Sequence, residues 1–555
     1  MRILLHIVAS FSFLFTEILS MLTILYYLQL EGYSIKSLLK RFKGSITRYV
    51  VYLIVYILTL LIITFVFSKY LIDEFLFVLF GSCFINCLYL KNINKLKLKF
   101  TKRLLRIILA STVVMLLNIC CICVFCDLLI VVRLFPFVIF VNYIAIIISL
   151  VLLLPIEKII GNYYLRKAKV KINKYKKLIK IGITGSFGKT TVKEILSSIL
   201  REEYIVLSTP KSYNTPFGIS KTINNALDNR HEIFVCEMGA KKRGEIRELC
   251  NLVDCDMGIV TTVGRQHTNT FGGINGVYLT KKELPDFLCG KRCVFNLMNL
   301  YTRKMYFEYV GDKIGVFLIR KHNLKGAKQN LKSKSFIVNK ASRVRRLNFY
   351  IYLKYNNYYA KRIKCSGNGS VFDVYCGDGY LFNVETFLIG EHNVINVLLA
   401  IAMAKKLNVS NCNIISAIKG VVNINARLEK FLTKSGAIVI NNGYNSNIDS
   451  AKSTLKTLEL FDKKHKVVIT PGLIETEDDF EYNKIFGKLL GLYATNIVIV
   501  KETNKNALIA GLKDSGLDMN NVSFAKSFDE ARVVIDKADK DTIFLIENDL
   551  PDSFK

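Results

Sequence analysis

The stretch Lys180-Ile-Gly-Ile-Thr-Gly-Ser-Phe-Gly-Lys-Thr-Thr-Val-Lys-Glu-Ile195 decides how the rest of the chain is interpreted. The apolar run from Leu178 to Ile183 predicts a buried strand, and Thr191 to Leu200 has helical periodicity. Glycines in the turn between them let backbone N–H groups surround an anion, while the following helix N-terminus adds partial positive charge. Lys189 adds a full charge, and Thr190 supplies a hydroxyl suited to Mg²⁺. The stretch therefore predicts a nucleotide phosphate site formed by Thr184, Gly185, Ser186, Gly188, Lys189, Thr190 and Thr191.

The composition predicts two or three domains and excludes several function classes. The chain has 555 residues and a net charge of +33, with its apolar residues concentrated in the first 155 positions. No nucleic-acid-binding motif accompanies the charge, so attraction to anionic membrane lipids is favoured over a nucleic-acid partner. The 14 cysteines follow neither a metal-binding spacing nor a secreted disulfide framework.

The N-terminal region, residues 1–160, has the composition of a membrane anchor. Apolar runs of about 20 residues have the length needed to cross a bilayer as helices. We predict five such spans, which are Ile3–Tyr27, Tyr49–Phe67, Leu71–Tyr89, Leu104–Phe125 and Leu129–Leu154.

The distribution of charge predicts the orientation of this anchor. Basic clusters follow the first, third and fifth spans, at 36–43, 91–103 and 166–177, whereas the other connections carry little charge. The positive-inside rule then assigns these clusters and the catalytic part to the cytoplasm. Because no acidic or histidine relay stands out within the spans, an anchor is favoured over a transporter. The basic stretch 167–180 either lies on the membrane surface or forms a solvated linker helix.

Two further side chains are placed where a parallel sheet binds ligands. Glu237 follows a buried-strand pattern that begins near Glu232, and His267 follows the strand predicted from Gly258 to Val263. Both would lie at the carboxyl edge of the sheet, beside the phosphate turn. A carboxylate there is suited to hold Mg²⁺ on ATP.

Several motifs follow the phosphate turn in a characteristic order. They are Pro210-Lys-Ser-Tyr-Asn-Thr-Pro-Phe-Gly-Ile219, Phe271-Gly-Gly273, Lys281-Lys-Glu-Leu284, Val294-Phe-Asn-Leu-Met-Asn299, Phe387-Leu-Ile-Gly-Glu-His-Asn-Val-Ile-Asn396 and Arg427-Leu-Glu429. Together they resemble the Mur ligase family, nearest to its members that add D-alanyl-D-alanine. The resemblance runs from about residue 180 to the C-terminus.

The resemblance implies a fold and a set of residue roles. It implies an α/β P-loop ATPase domain over residues 161–425 and a Rossmann-like α/β domain over 426–555, after the helical membrane region. Lys189, His267 and Lys281 would be catalytic, with Lys281 carbamylated and bridging or orienting metal ions. For His392 and Asn393, a helix-capping role is an alternative to nucleotide contact. The implied metal ligands and further ATP contacts are Thr190, Glu237, His267, Lys281, Asn296, His392, Asn393, Arg427 and Asn442.

The implied activity is ATP-dependent and Mg²⁺-dependent amide-bond formation in peptidoglycan precursor synthesis, through an acyl phosphate. The partners would be a muropeptide or lipid-linked precursor, an amino acid or dipeptide, and membrane lipids. One departure leaves alternatives open, because Asn441 and Asn442 stand where the family has two aspartates. The alternative hypotheses are a polyglutamate-type ligase and a catalytically weak ATP-binding scaffold. Restoring both aspartates should accelerate a weakened ligase and leave a scaffold inactive.

Overall fold

The structure is a computed structural model. It describes residues 18–19, 21–30, 32–36, 38–39, 98–125, 138–266, 268–319, 357–424, 426–443, 447–474, 476 and 478–548. The chain forms two compact units. The first comprises residues 1–162 with 551–555, and the second comprises residues 163–550.

The described residues of the first unit are mostly helical. It contains helices at Met21–Leu30 and Lys102–Phe125, and the beginning of the helix Val138–Lys174. Arg106 Nε donates a hydrogen bond of 2.7 Å to Glu157, which joins two of these helices. The apolar side chains that pack between the helices are Ile24, Leu25, Leu28, Leu38, Leu104, Ile107, Ile146 and Leu150.

Within the described residues, one helical segment is long and apolar enough to cross a membrane, which is Ile144–Lys174 of the helix Val138–Lys174. The predicted span Leu129–Leu154 begins earlier in the chain than this helix. The predicted span Leu104–Phe125 coincides with the helix Lys102–Phe125. The spans predicted at 49–67 and 71–89 lie outside the described residues. Of the predicted span Ile3–Tyr27, only residues 18–19 and 21–27 are described. The described part of the chain therefore supports one spanning helix and does not support the prediction of five.

The middle of the chain folds around a mixed sheet, which has nine strands in the described residues. The strand order is β2-β3-β1-β4-β5-β6-β7-β8-β9. Strands β1 to β7 pair in parallel, whereas β7, β8 and β9 pair antiparallel. The strands are β1 Ile179–Thr184, β2 Val206–Ser208, β3 Ile233–Glu237, β4 Met257–Val260, β5 Cys293–Asn296, β6 Lys313–Leu318, β7 Tyr358–Ser366, β8 Gly369–Cys376 and β9 Gly379–Thr386.

Helices cover this sheet on both faces, which explains why β3 and β5 are buried at every position and are apolar except at their last residues, Glu237 and Asn296. The helix Glu391–Lys406 is buried from Asn393 to Ala404, since it lies within the apolar cluster formed by one sheet face and its neighbours. The other helices of this domain are Lys189–Leu200, Pro216–Ala226, Glu245–Val253, Thr268–Phe271, Ile274–Leu288, Leu300–Glu308 and Asn411–Gly420.

The antiparallel part of the sheet, β7 to β9, is absent from the sequence-based expectations. The region around 318–362 is lysine-rich and weakly patterned, so it predicts only a variable edge of the central domain. Strands β7 to β9 are stabilised by aromatic packing between strands, in which the Tyr359 and Tyr375 rings stack 5.3 Å apart. Such pairing depends on contacts between strands, which periodicity along one strand does not report.

The C-terminal part of the chain forms a second sheet, with six strands in the described residues and the order β10-β11-β15-β12-β13-β14. All pairs are parallel except β10 with β11, as expected for a Rossmann-like domain with one added edge strand. The strands are β10 Glu429–Leu432, β11 Ile438–Asn442, β12 His465–Thr470, β13 Asn496–Val500, β14 Val522–Ala525 and β15 Thr542–Glu547. The helices are Ile448–Lys456, Asp479–Tyr493, Lys505–Ser515 and Phe528–Asp536, with short 3₁₀ turns at Thr457–Leu460 and Met519–Asn521.

Candidate active site

The phosphate turn follows β1 at the carboxyl edge of the first sheet, as predicted. Gly185 has φ +149°, and an added Cβ would overlap Thr261 Oγ1. Gly188 has φ +83° immediately before the helix Lys189–Leu200, where a Cβ would lie 2.7 Å from Asn396 Oδ1. Both glycines are therefore required by backbone conformation and by close packing. Together they allow the loop to turn tightly into the helix N-terminus.

Lys189 lies over this loop. Its Nζ donates hydrogen bonds to the carbonyl oxygens of Gly185 at 2.7 Å and Ser186 at 3.1 Å. Burial lowers the pKa of Lys189 to about 8; the nearby Glu237 carboxylate opposes this, and the Arg427 guanidinium adds to it. The ammonium is mostly protonated at neutral pH, so it can neutralise phosphate charge at the loop.

Glu237 ends β3 and is 1% exposed. Its Oε2 accepts a hydrogen bond from Thr190 Oγ1 at 2.9 Å, and its Oε1 accepts one from Asn214 Nδ2 at 3.0 Å. The register of β1 with β3 pairs Ile183 with Glu237, which brings the carboxylate beside the turn. The hydroxyl and carboxylate oxygens predicted to hold a cation are therefore adjacent.

A buried lysine, Lys193, lies next to Glu237, and the sequence interpretation did not single it out. Lys193 is fully buried, and its Nζ lies 3.7 Å from Glu237 Oε2. It also donates to the carbonyl oxygens of Thr209 at 2.7 Å and Lys211 at 2.6 Å. Lys193 lies one helical turn after Lys189, within the run of buried residues on that helix. A lysine on an otherwise buried helix face was the available signal.

Lys281 lies within the helix Ile274–Leu288 and is 3% exposed. Burial is the main cause that lowers the pKa of Lys281 to about 7, and the positive charge of Lys189 lowers it further. Its Nζ lies 5.9 Å from the centre of the Phe271 ring. His267 lies outside the described residues, although the adjacent Gln266 lines the same cavity as Lys281. Burial therefore favours the neutral amine form of Lys281.

The remaining predicted residues lie on both domains of the second unit. Asn296 ends β5, with its Oδ1 accepting from Met298 N–H at 2.9 Å. Asn393 donates to Ile389 O, just before its helix, at 2.9 Å and accepts from Asn396 Nδ2 at 3.0 Å, so its amide is engaged at the start of that helix. Burial lowers the pKa of His392 to about 4, which keeps its imidazole neutral.

One cavity of about 890 Å³ connects most of these residues. Thr184 and Gly185 do not line it: the Thr184 hydroxyl points to Met238 O at 3.3 Å, and the Gly185 carbonyl accepts from Lys189. The predicted residues that line it are Ser186, Gly188, Lys189, Thr190, Thr191, Glu237, Lys281, Asn296, His392, Asn393, Arg427 and Asn442. Described side chains from the central domain and the C-terminal domain thus share one cavity.

Comparison with known proteins identifies the central domain. Residues 183–404 match the Mur ligase middle domain. The chain is 26% identical over 339 residues to the UDP-N-acetylmuramoyl-tripeptide–D-alanyl-D-alanine ligase of Buchnera aphidicola subsp. Acyrthosiphon pisum. That match covers 61% of this chain and 65% of the relative, so the chain spans less than two thirds of that relative's length.

Two solved structures show the same fold. MurF from Acinetobacter baumannii has a TM-score of 0.57 at 20% identity, covering 70% of this chain and 77% of that one. Folylpolyglutamate synthase from Mycobacterium tuberculosis has a TM-score of 0.51 at 13% identity, covering 72% of this chain and 96% of that one. At these identities the likeness concerns the fold alone.

Proposed function

We propose that this protein, a member of the Mur ligase family, is an ATP-dependent acid–amino acid ligase of peptidoglycan precursor synthesis. The observation that carries the proposal is the shared cavity. It collects the phosphate-turn lysine Lys189, the Thr190–Glu237 oxygen pair and the buried Lys281 from one domain. Arg427, at the junction of the two domains, lines the same cavity. This combination is suited to phosphoryl transfer followed by amide formation.

The chemistry would take place in two balanced steps. An acyl-substrate carboxylate oxygen forms a bond to the γ-phosphorus of ATP while the bond to the leaving ADP oxygen breaks. The amine of the second substrate then attacks the acyl carbon of the resulting acyl phosphate, forming a C–N bond and releasing phosphate and a proton. Lys189 and Arg427 would stabilise the charge on the transferring phosphoryl group. Enclosure between the domains would protect the acyl phosphate from water.

The residues at the turn fit a magnesium ion. Thr190 and Glu237 present a hydroxyl and a carboxylate oxygen side by side, and hard oxygen ligands are what Mg²⁺ prefers. Bound Mg²⁺ would supply neutralisation of phosphate charge. His267 and Lys281 are proposed for a second metal position. Burial lowers the pKa of Lys281 to about 7, which favours a neutral amine that could add carbon dioxide, release a proton and become an anionic carbamate ligand.

We propose that Asn296, His392, Asn393 and Asn442 also contact ATP. The lowered pKa of His392 favours a neutral imidazole, which can donate or accept a hydrogen bond without adding charge. The helix Glu391–Lys406 begins after Gly390 without a side-chain cap, and the Asn393 amide donates to Ile389 O, so neither His392 nor Asn393 caps this helix. Thr184 and Gly185 would instead shape the turn from beneath.

We also propose that residues 1–160 form a multi-pass membrane anchor with the catalytic domains, 161–425 and 426–555, in the cytoplasm. The described support is the single apolar helix Ile144–Lys174. Its last turns carry exposed basic side chains, Arg166, Lys167, Lys169 and Lys174, suited to anionic lipid headgroups. A membrane-borne acyl substrate, such as a lipid-linked muropeptide, would suit this arrangement.

Phosphate release from ATP by the purified full-length protein tests the proposal. It is incubated with Mg²⁺, D-alanyl-D-alanine and either soluble nucleotide-linked or lipid-linked muramoyl tripeptide. An amide product with one phosphate released per bond supports a ligase, and preference for the lipid-linked substrate supports the membrane proposal. Preference for the soluble substrate contradicts only the latter.

The same incubation distinguishes the proposed ligase from the two alternative hypotheses. A ladder of products formed from a single amino acid would favour a polyglutamate-type ligase, which shares this fold. ATP binding without turnover across all acyl and amine substrates would favour a catalytically weak scaffold.

A further inference from the structure

Asn442 is held by a buried carboxylate. Strands β11 and β15 pair in parallel with Asn442 opposite Glu547, so the two side chains are neighbours on one face of the sheet. Asn442 Nδ2 donates to Glu547 Oε2 at 2.9 Å and to Thr454 Oγ1 at 3.2 Å. Glu547 is fully buried and Asn442 is 8% exposed. The amide group therefore contacts two fixed polar partners.

These two partners independently determine which way the amide points. A carboxyl oxygen that carries no proton can only accept hydrogen bonds, so Glu547 Oε2 takes the N–H side of the amide. The Thr454 hydroxyl donates its single proton to Ser450 O at 3.0 Å, and so it too can only accept from Asn442. Reversing the amide would place its oxygen against two acceptors. The orientation is thus fixed by chemistry as well as by geometry.

This orientation determines what the side-chain oxygen of Asn442, Oδ1, can bind. With both N–H groups engaged, Oδ1 is the polar atom of Asn442 left for a ligand, and Asn442 lines the large cavity. No described residue donates to this oxygen. We propose that Glu547 is a positioning residue that holds Asn442 as a hydrogen-bond acceptor for the nucleotide. The inference rests on the proposed function in one respect, which is that the ligand is ATP.

This arrangement reverses one expectation from the sequence. Aspartate at 442 would bring a second carboxylate against buried Glu547 and against a threonine hydroxyl that has no proton to give. Two carboxylates at hydrogen-bond distance repel when both are ionised. Asn442 is thus matched to Glu547, and restoring aspartate alone should impair the protein rather than accelerate it.

The first experiment exchanges the two groups in the full-length protein. Thermal unfolding and MgATP affinity are measured for Asn442→Asp and for the double variant Asn442→Asp with Glu547→Gln. The single variant should unfold at lower temperature and bind ATP about tenfold more weakly, the cost of roughly one hydrogen bond. In the double variant, the glutamine donates to the aspartate and only the contact with Thr454 stays unmatched, so both properties should recover most of the loss. Failure of the double variant to regain thermal stability overturns the inferred amide orientation, with or without ATP binding.

The second experiment separates positioning from packing. Asn442→Leu combined with Glu547→Met removes the polar pair and fills the space with apolar groups, a change that buried pairs often tolerate. This variant should keep its thermal stability but lose ATP affinity about tenfold, because the acceptor is gone. Wild-type ATP affinity in this variant overturns the proposal. Absence of ATP binding by the wild-type protein contradicts the proposed function, while the stability comparison still decides the orientation of Asn442.

Discussion

At the residue scale, Lys189 should dominate nucleotide binding. Its Nζ lies on the carbonyl groups of the phosphate turn, and its position near Glu237 and Arg427 puts it at the charge centre of the cavity. Lys189→Ala should weaken MgATP binding about ten- to a hundredfold, the range expected for losing a charged hydrogen bond. Lys241→Ala, at an exposed position on the cavity rim, is the matched control and should change affinity little. Equal effects of the two substitutions on titration calorimetry would place the phosphates elsewhere.

His392 gives a pH dependence whose sign can be worked out. Its pKa is lowered to about 4 in the folded protein, against an ordinary value of 6.5. Between these values the unfolded chain binds more protons than the folded one, so stability falls as pH drops from about 6.5 to about 4. The slope attributable to one group is at most about 1.4 kcal/mol per pH unit. Denaturant unfolding of His392→Leu without ATP should show a shallower acid slope than wild type, and superimposable slopes would contradict this.

At the element scale, the connection between the helix Lys189–Leu200 and the loop at 209–214 should depend on Lys193. Its buried ammonium donates to two loop carbonyl groups and lies beside Glu237. Lys193→Met would leave these groups unpaired, costing about 3 kcal/mol of unfolding free energy. It should also raise the KM for MgATP, because Asn214 in that loop donates to Glu237.

The control for this substitution is Lys304→Met. The Lys304 side chain is 62% exposed and lies 3.7 Å from Glu308, a surface pair that contributes little. If Lys304→Met destabilised the protein as much as Lys193→Met does, the role assigned to the buried ammonium would be wrong.

Elements differ in how far the sequence predicts them. The strand, turn and helix around Gly185 were predictable because their signals are local. The neighbourhood of Glu237 was predictable only in part. The sequence places its carboxylate at a strand end, but the Lys193 and Asn214 contacts depend on how the 209–214 loop packs.

The Asn442 position shows the same limit at longer range. The sequence marks a departure from two aspartates but does not show the compensating carboxylate, which lies 105 residues away on β15. Periodicity reports which face of a strand is buried, and it carries no information about which side chain lies opposite. The antiparallel strands β7 to β9 were missed for this reason as well.

At the scale of the whole molecule, contacts between the two catalytic domains connect to the phosphate turn. Ser186 Oγ in the turn donates to Gly264 O at 3.1 Å and accepts from Gly264 N–H at 3.0 Å. The next residue, Arg265, donates its backbone N–H to Asp449 Oδ2 of the C-terminal domain at 3.3 Å. Arg265 also lies 5.8 Å from the ring of Tyr482 in that domain. The turn and the second domain are therefore linked by a short chain of hydrogen bonds.

Asp449 should thus affect turnover more than nucleotide binding. Asp449→Ala removes an acceptor for the 264–266 segment without touching the cavity lining, so the closed arrangement should become less populated. We expect kcat to fall about tenfold, while the Kd for MgATP stays within about twofold. The control Asp462→Ala changes an exposed carboxylate on the same domain and should leave kcat unchanged. Weaker closure alone should slow only the step that needs both domains together. A loss of ATP affinity equal to the loss in kcat would therefore mean that Asp449 supports the nucleotide site itself.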